Sequence, residues 1–148
     1  MLFGSSTPPE PMGQLTGFLL NWVGARSREA FAAAIEELGL RPQQFAAMTM
    51  IDADPGMAQQ ELVAATNIDP STMVAMLDGL EAAGLAERRP HASDRRKHAL
   101  HLTEAGTETL RAARRAAAGM RDEVFGRLEP EEFAELHRLL RKTAGYVD

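Results

Sequence analysis

Between Ala58 and Leu102 the sequence runs through two helical segments, a tight turn and two strand segments with almost no spacer, and few folds accept that order. Ala58 to Ala65 is long enough for a short helix only. Thr66-Asn67-Ile68-Asp69 follows. Asp69, Pro70 and Ser71 then open a second helix, with a carboxylate N-cap and a proline at the first helical position, where its missing N–H is no loss. Met73, Met76, Leu77 and Leu80 give that helix a buried stripe, and Gly84 ends it. Leu85–Pro90 and Lys97–Leu102 read as strands around a polar turn from His91 to Arg96, with Leu100 and Leu102 on one face. Two helices joined by a turn of three or four residues have helix-turn-helix proportions. A hairpin with a charged tip directly behind them reads as a protruding wing.

The flanking segments are helical. Leu15, Phe18, Leu19, Trp22, Val23, Ala30, Phe31, Ala34, Ile35 and Leu38 recur at helical spacing from Gly13 to Leu38, and Gly39 suits a left-handed stop. A second helix is predicted from Pro42 to Asp52, burying Phe45, Met48 and Ile51, with a turn at Asp54-Pro55-Gly56. A long helix is predicted from Thr103 to Leu128, with Leu110, Ala113, Ala117, Met120 and Val124 on a heptad seam. A last helix starts at Glu129-Pro130 and carries Phe133, Leu136, Leu139, Leu140 and Tyr146. Residues 1–12, with Pro8, Pro9 and Pro11, read as a flexible arm. Arg41 and Ala58 stand where a capping Ser or Thr is usual, so fraying is expected at those two helix starts. The expected fold class is mainly α with a small β-hairpin wing.

The 148 residues include no cysteine, which excludes disulfides, thiolate nucleophiles and Cys-based zinc sites. No apolar run approaches the ~18 residues of a membrane span, and the first residues lack the pattern of a secretory signal, so a cytoplasmic protein is expected. Net charge is −5, which on its own opposes binding to phosphate. Distribution matters more. Ala86 to Arg115 holds eight basic residues (Arg88, Arg89, Arg95, Arg96, Lys97, Arg111, Arg114, Arg115) against four acidic ones, a basic window in an acidic chain.

A helix-turn-helix presents the start of its second helix to the DNA major groove. Here that start carries Pro70, Ser71 and Thr72, with Val74 and Ala75 behind. Ser and Thr hydrogen-bond phosphates or bases, and Val and Ala meet a thymine methyl. Free N–H groups at the helix start would favour a phosphate. The wing offers Asp94, Arg95, Arg96 and Lys97, and an arginine there suits the minor groove, with Asp94 holding it through a charge-assisted pair. Enzyme chemistry finds little support. His98 and His101 are three apart on a strand and face opposite ways, no nucleophile accompanies them, and no glycine-rich phosphate loop is present. No metal or cofactor is expected, although sequence leaves open whether His91, His98, His101 and His137 converge.

Gln60-Glu61-Leu62, Asn67-Ile68-Asp69-Pro70-Ser71-Thr72, Leu77-Asp78-Gly79-Leu80-Glu81, Gly84-Leu85 and, above all, Asp94-Arg95-Arg96 followed by Leu102-Thr103-Glu104-Ala105-Gly106 resemble the multiple-antibiotic-resistance regulator (MarR) family. The resemblance implies a homodimeric winged helix-turn-helix repressor. Residues 13–148 would form one domain, with 13–38 and 103–148 as the helical dimerisation region and 42–102 as the DNA-binding lobe. It implies a double-stranded DNA operator as partner, Arg96 as the minor-groove residue, and release by a small, often phenolic effector. Val74 and Ala75 depart from the polar residue and arginine common in the family, which shifts base reading toward the wing and DNA shape. Asn67 replaces the usual glycine of the turn and tolerates a left-handed conformation.

Two copies could bury Leu15, Phe18, Leu19, Trp22, Leu128, Phe133, Leu136 and Leu140 together. Trp22, Phe45 and Met48 could line an effector pocket with Arg26 for an anion, although an ordinary core accounts for the same residues more simply. The competing function is a winged-helix protein-interaction module without DNA binding, which the acidic composition and plain recognition helix would suit.

Overall fold

The computed structural model describes residues 7–147. The elements run α1 (Glu10–Gly13), α2 (Thr16–Glu36), α3 (Pro42–Ala53), α4 (Gln59–Thr66), α5 (Pro70–Ala82), β1 (Ala86–Pro90), β2 (His98–Leu102), α6 (Glu104–Gly119), α7 (Arg121–Phe125) and α8 (Pro130–Thr143). They fall into two compact units, residues 32–117 and residues 7–31 with 118–147.

The 32–117 unit holds the core. Ile35, Met48, Ile51, Leu62, Met73, Leu77, Leu80, Leu100 and Leu110 are fully buried there. Each helix start is satisfied locally. Arg41 and Ala58 offer no capping oxygen, but Gln44 Oε1 accepts from the Arg41 N–H at 2.9 Å and Glu61 Oε2 from the Ala58 N–H at 2.7 Å. In place of a capping side chain, the third helical residue reaches back, one half of a capping box. α4 ends on Asn67 in the left-handed region, φ 54°. Asp69 caps α5, accepting from the Thr72 N–H at 3.0 Å and from the Ser71 hydroxyl at 2.6 Å.

β1 and β2 pair antiparallel, from Ala86 opposite Leu102 to Pro90 opposite His98. A third segment joins them, which the sequence pattern did not reveal. Ala58 bridges Ala99, the Leu100 N–H donates to the Met57 carbonyl at 2.9 Å, and the Gly56 N–H donates to the Leu100 carbonyl at 2.8 Å. The chain entering α4 thus anchors the base of the wing. Behind it, Thr103 caps α6. Its hydroxyl donates to the Gly84 carbonyl at 2.6 Å and accepts from the Gly106 N–H at 2.9 Å. Gly106 lies so close to the Leu85 carbonyl that a Cβ there would sit 1.8 Å from its oxygen. The Gly84-Leu85 and Leu102-Thr103-x-x-Gly106 signatures are one packing contact seen from two sides.

One expectation is corrected. The long helix from Thr103 to Leu128 is interrupted at Met120, giving α6 and α7. Gly119 precedes the break and Gly126 follows α7, and glycine costs a helix interior about 1 kcal/mol relative to alanine. Within the predicted flexible arm, Glu10–Gly13 forms a helical turn with proline at its start; residues 1–6 lie outside the described residues.

In the other unit, Phe125 meets Phe133 edge-on at 5.3 Å, and the Arg121 guanidinium lies 4.0 Å over the Phe133 ring. α8 buries none of its residues. Leu139 and Leu140 on α8, Leu20 on α2 and Leu15 just before α2 are large apolar side chains this unit leaves exposed.

Candidate nucleic-acid interface

α5 turns Met73, Leu77 and Leu80 inward and leaves Pro70, Ser71, Thr72, Val74 and Ala75 exposed. Its start differs from the expected open anion seat. The Thr72 N–H and Ser71 hydroxyl both already donate to Asp69, and these bonds, the Ser71 hydroxyl foremost, hold the Asp69 carboxyl far below the usual carboxylate range. A carboxylate therefore occupies the place a phosphate would take, and Ser71 and Thr72 are oriented by their cap.

The wing tip is built around Asp94. Its Oδ1 accepts from the Arg96 backbone N–H at 3.0 Å and from Arg96 Nε at 3.3 Å, while its carbonyl accepts from the Lys97 N–H at 3.0 Å. The Arg96 backbone bond is the main cause of a lowered Asp94 pKa. Arg96 itself is 92% exposed, so Asp94 steadies the guanidinium without covering it. Arg95 and Lys97 are exposed beside it. A cleft of about 240 Å³ brings wing and helix-turn-helix together: Arg96, Lys97 and His98 form one side, and Pro70 with Gln59 and Gln60 at the start of α4 form the other. Sequence reading missed Gln59 and Gln60, because nothing in it showed that the wing folds back over α4.

The basic window is less basic than its count. Arg88 pairs with Asp78 and Glu81, Arg89 with Glu87, Arg111 with Glu108, and Arg114 with Asp52. Among the described residues, Arg95, Lys97 and Arg115 are the members of the window with no ion pair. The bonded position of Arg88 was not read from the sequence, where it counted only as a member of the basic window. It stands opposite the buried Leu100 and two residues from the buried Ala86, on the inward face of its strand. A cation at such a position requires partners, and that signal was readable.

The ligand candidates separate. Trp22 and Arg26 line a cleft of about 400 Å³ with Leu19, Val23 and Val124. Phe45 lines a different one, of about 750 Å³, with Met50, Ile68 and Thr72. Met48 has 0% exposure and is a core side chain. Of the dimer candidates, Leu15 and Leu140 are exposed, Phe18, Leu19, Leu128, Phe133 and Leu136 are half-buried, and Trp22 is buried. Among the described residues no group of three or more His, Asp or Glu side chains could hold a metal, and no helix is long and apolar enough to cross a membrane.

A short helix, a left-handed turn, a capped second helix with an exposed face and a hairpin tipped by an oriented arginine define a winged helix-turn-helix protein of the DNA-binding class. The chain belongs to the MarR family. The family's sequence profile matches residues 38–97. The HTH-type transcriptional repressor Rv2887 of Mycobacterium tuberculosis is 31% identical over 126 residues, 85% of this chain and 91% of that one. The transcriptional repressor CouR, solved bound to a 23-mer DNA duplex, has a TM-score of 0.78 and 33% identity, covering 95% of this chain and 99% of that one. The MarR family protein Rv2887 of M. tuberculosis in complex with p-aminosalicylic acid has a TM-score of 0.72 and 29% identity, covering 88% and 98%. These relatives are transcriptional regulators, not enzymes.

Proposed function

We propose that this chain is a homodimeric, effector-released repressor that reads a pseudo-palindromic operator. The carrying observation is the single cleft shared by Pro70 of α5 and by Arg96 and Lys97 of the wing. α5 enters the major groove with Ser71, Thr72, Val74 and Ala75. The wing follows the backbone with Arg95 and Lys97 and places Arg96, steadied by Asp94, in the minor groove. Residues 42–102 act as the DNA-binding lobe. Residues 13–38 and 103–148 supply the two-fold interface through Leu15, Phe18, Leu19, Trp22, Leu128, Phe133, Leu136 and Leu140, with half-sites about 10 bp apart. A small aromatic, often phenolic, effector enters the cleft of Trp22 and Arg26; the p-aminosalicylic acid bound to Rv2887 supports that class.

Fluorescence anisotropy on DNA from upstream of the gene, across a salt series, tests the reading. If Arg95, Arg96 and Lys97 are the cations of each protomer that displace counterions from the duplex, log K against log salt should fall with a slope of about −5 for the dimer. Arg96→Ala should reduce that slope by about one per protomer. No binding to any upstream fragment or to random DNA at low salt, after refolding to strip a bound effector, would overturn it. The internal pairing of Arg88, Arg89, Arg111 and Arg114 favours the second reading, a winged-helix protein-interaction module, in that event.

A further inference from the structure

Arg88 is the most densely bonded side chain of the 32–117 unit. Its Nη1 donates to Asp78 Oδ1 at 2.7 Å and to Glu81 Oε2 at 2.6 Å. Its Nη2 donates to the Val74 carbonyl at 3.3 Å, and its Nε to Gln59 Oε1 at 3.2 Å. The Arg88 backbone N–H adds a bond to Glu81 Oε1 at 2.8 Å. The side chain is 15% exposed. Four of the five guanidinium N–H donors are therefore engaged within the chain, and Arg88 has little left to offer a phosphate.

What it holds is specific. Val74, Asp78 and Glu81 lie four and three residues apart, one stripe along α5. The first of them belongs to the turn proposed to read bases. Gln59 belongs to α4 and lines the cleft shared with the wing. One planar group on β1 thereby ties the recognition helix, the helix before it and the hairpin behind it into a fixed arrangement. It also offsets one of the two negative charges that Asp78 and Glu81 place on α5.

We propose that Arg88 is a positioning residue for operator recognition: it sets the angle of α5 through Val74, Asp78 and Glu81 and does not itself contact DNA. The inference rests on the DNA-binding reading for its consequence, not for its geometry. The fork is essential to it. Lysine would keep the charge but could not span α4 and two turns of α5 at once.

Arg88→Gln and Arg88→Lys test this in the full-length protein. Affinity for the operator should drop about tenfold in both, the loss expected for hydrogen bonds to charged groups, while Arg88→Lys, which keeps the charge, changes affinity for random DNA little. The salt slope should stay at its wild-type value. A slope reduced by about one per protomer would make Arg88 a phosphate contact and overturn the proposal. So would full operator affinity in Arg88→Lys, which would leave charge alone as its role, or an equal loss on operator and random DNA. Amide hydrogen exchange supplies an arm independent of DNA: residues 74–82 should exchange faster in both variants while α3 and α6 keep their rates. Unchanged exchange in α5 overturns the clamp even if no DNA is bound by any variant, an outcome that would sink the DNA-binding reading separately. Should Arg88→Gln misfold through its orphaned carboxylates, Asp78→Asn with Arg88→Gln removes one of them and carries the same comparison.

Discussion

At single residues, geometry sets unequal tolerance. Gly106 has a backbone oxygen where a Cβ would go, with no flexible side chain to yield. Gly106→Ala is expected to cost about 3 kcal/mol, the upper range for overpacking, read as a lower urea midpoint at fixed protein concentration with unchanged m-value. Asp69 makes a prediction in pH. Its folded pKa is depressed, so the stabilisation it brings is fully present above the unfolded value near 4 and is lost as pH falls toward the lower folded value. Asp69→Asn keeps a carbonyl to accept from Thr72 but not the titration. Acid titration of stability should therefore fall less steeply below about pH 4 in the variant, with little change in pH dependence above it. An unaltered acid limb would show that the carboxylate is not stabilised by its cap.

Elements were legible to different degrees, for physical reasons. The ends of α2, α4 and α5 follow from Gly39, Asn67 and the Asp69-Pro70 pair, because local conformational preference acts there without help from distant residues. The bridge between Ala58 and Ala99 joins residues far apart in sequence, and Ala58 carries no strand signal, so only the fold reveals it. The same limit hid Gln59 and Gln60 from the site. The charge count failed differently: partners such as Asp52 for Arg114 lie in another helix, where no window on the sequence includes them. Helix α6 stops early for a local reason that periodicity outweighed, since Gly119 has open space around it and no unusual φ. Gly119→Ala is accordingly expected to stabilise the protein by about 0.5–1 kcal/mol, measured by the same urea titration. Destabilisation would mean that the break at Met120 is needed by the assembly.

At the scale of the whole molecule, α8 leaves Leu140 41% exposed, and Leu15 is barer still. The adjacent exposed Leu139 and Leu140 of α8 suit the proposed two-fold interface, since contiguous exposed apolar surface marks interaction sites. Leu136→Glu combined with Leu140→Glu should convert dimer to monomer in sedimentation velocity and abolish operator binding, while the hairpin unit keeps its core. A dimer that persists would place the interface elsewhere. The internal ion pairs have a kinetic consequence as well. A regulator finds its operator by exploring other DNA, and the length of each excursion along the duplex grows with the strength of its sequence-blind electrostatic grip. With Arg88, Arg89, Arg111 and Arg114 paired to carboxylates of the same chain, that grip falls mainly to Arg95, Arg96 and Lys97 of the wing, with Arg115 on α6. This protein should therefore search by brief touches and frequent hops, trading the long slide of a strongly basic protein for quick escape from the wrong sequence.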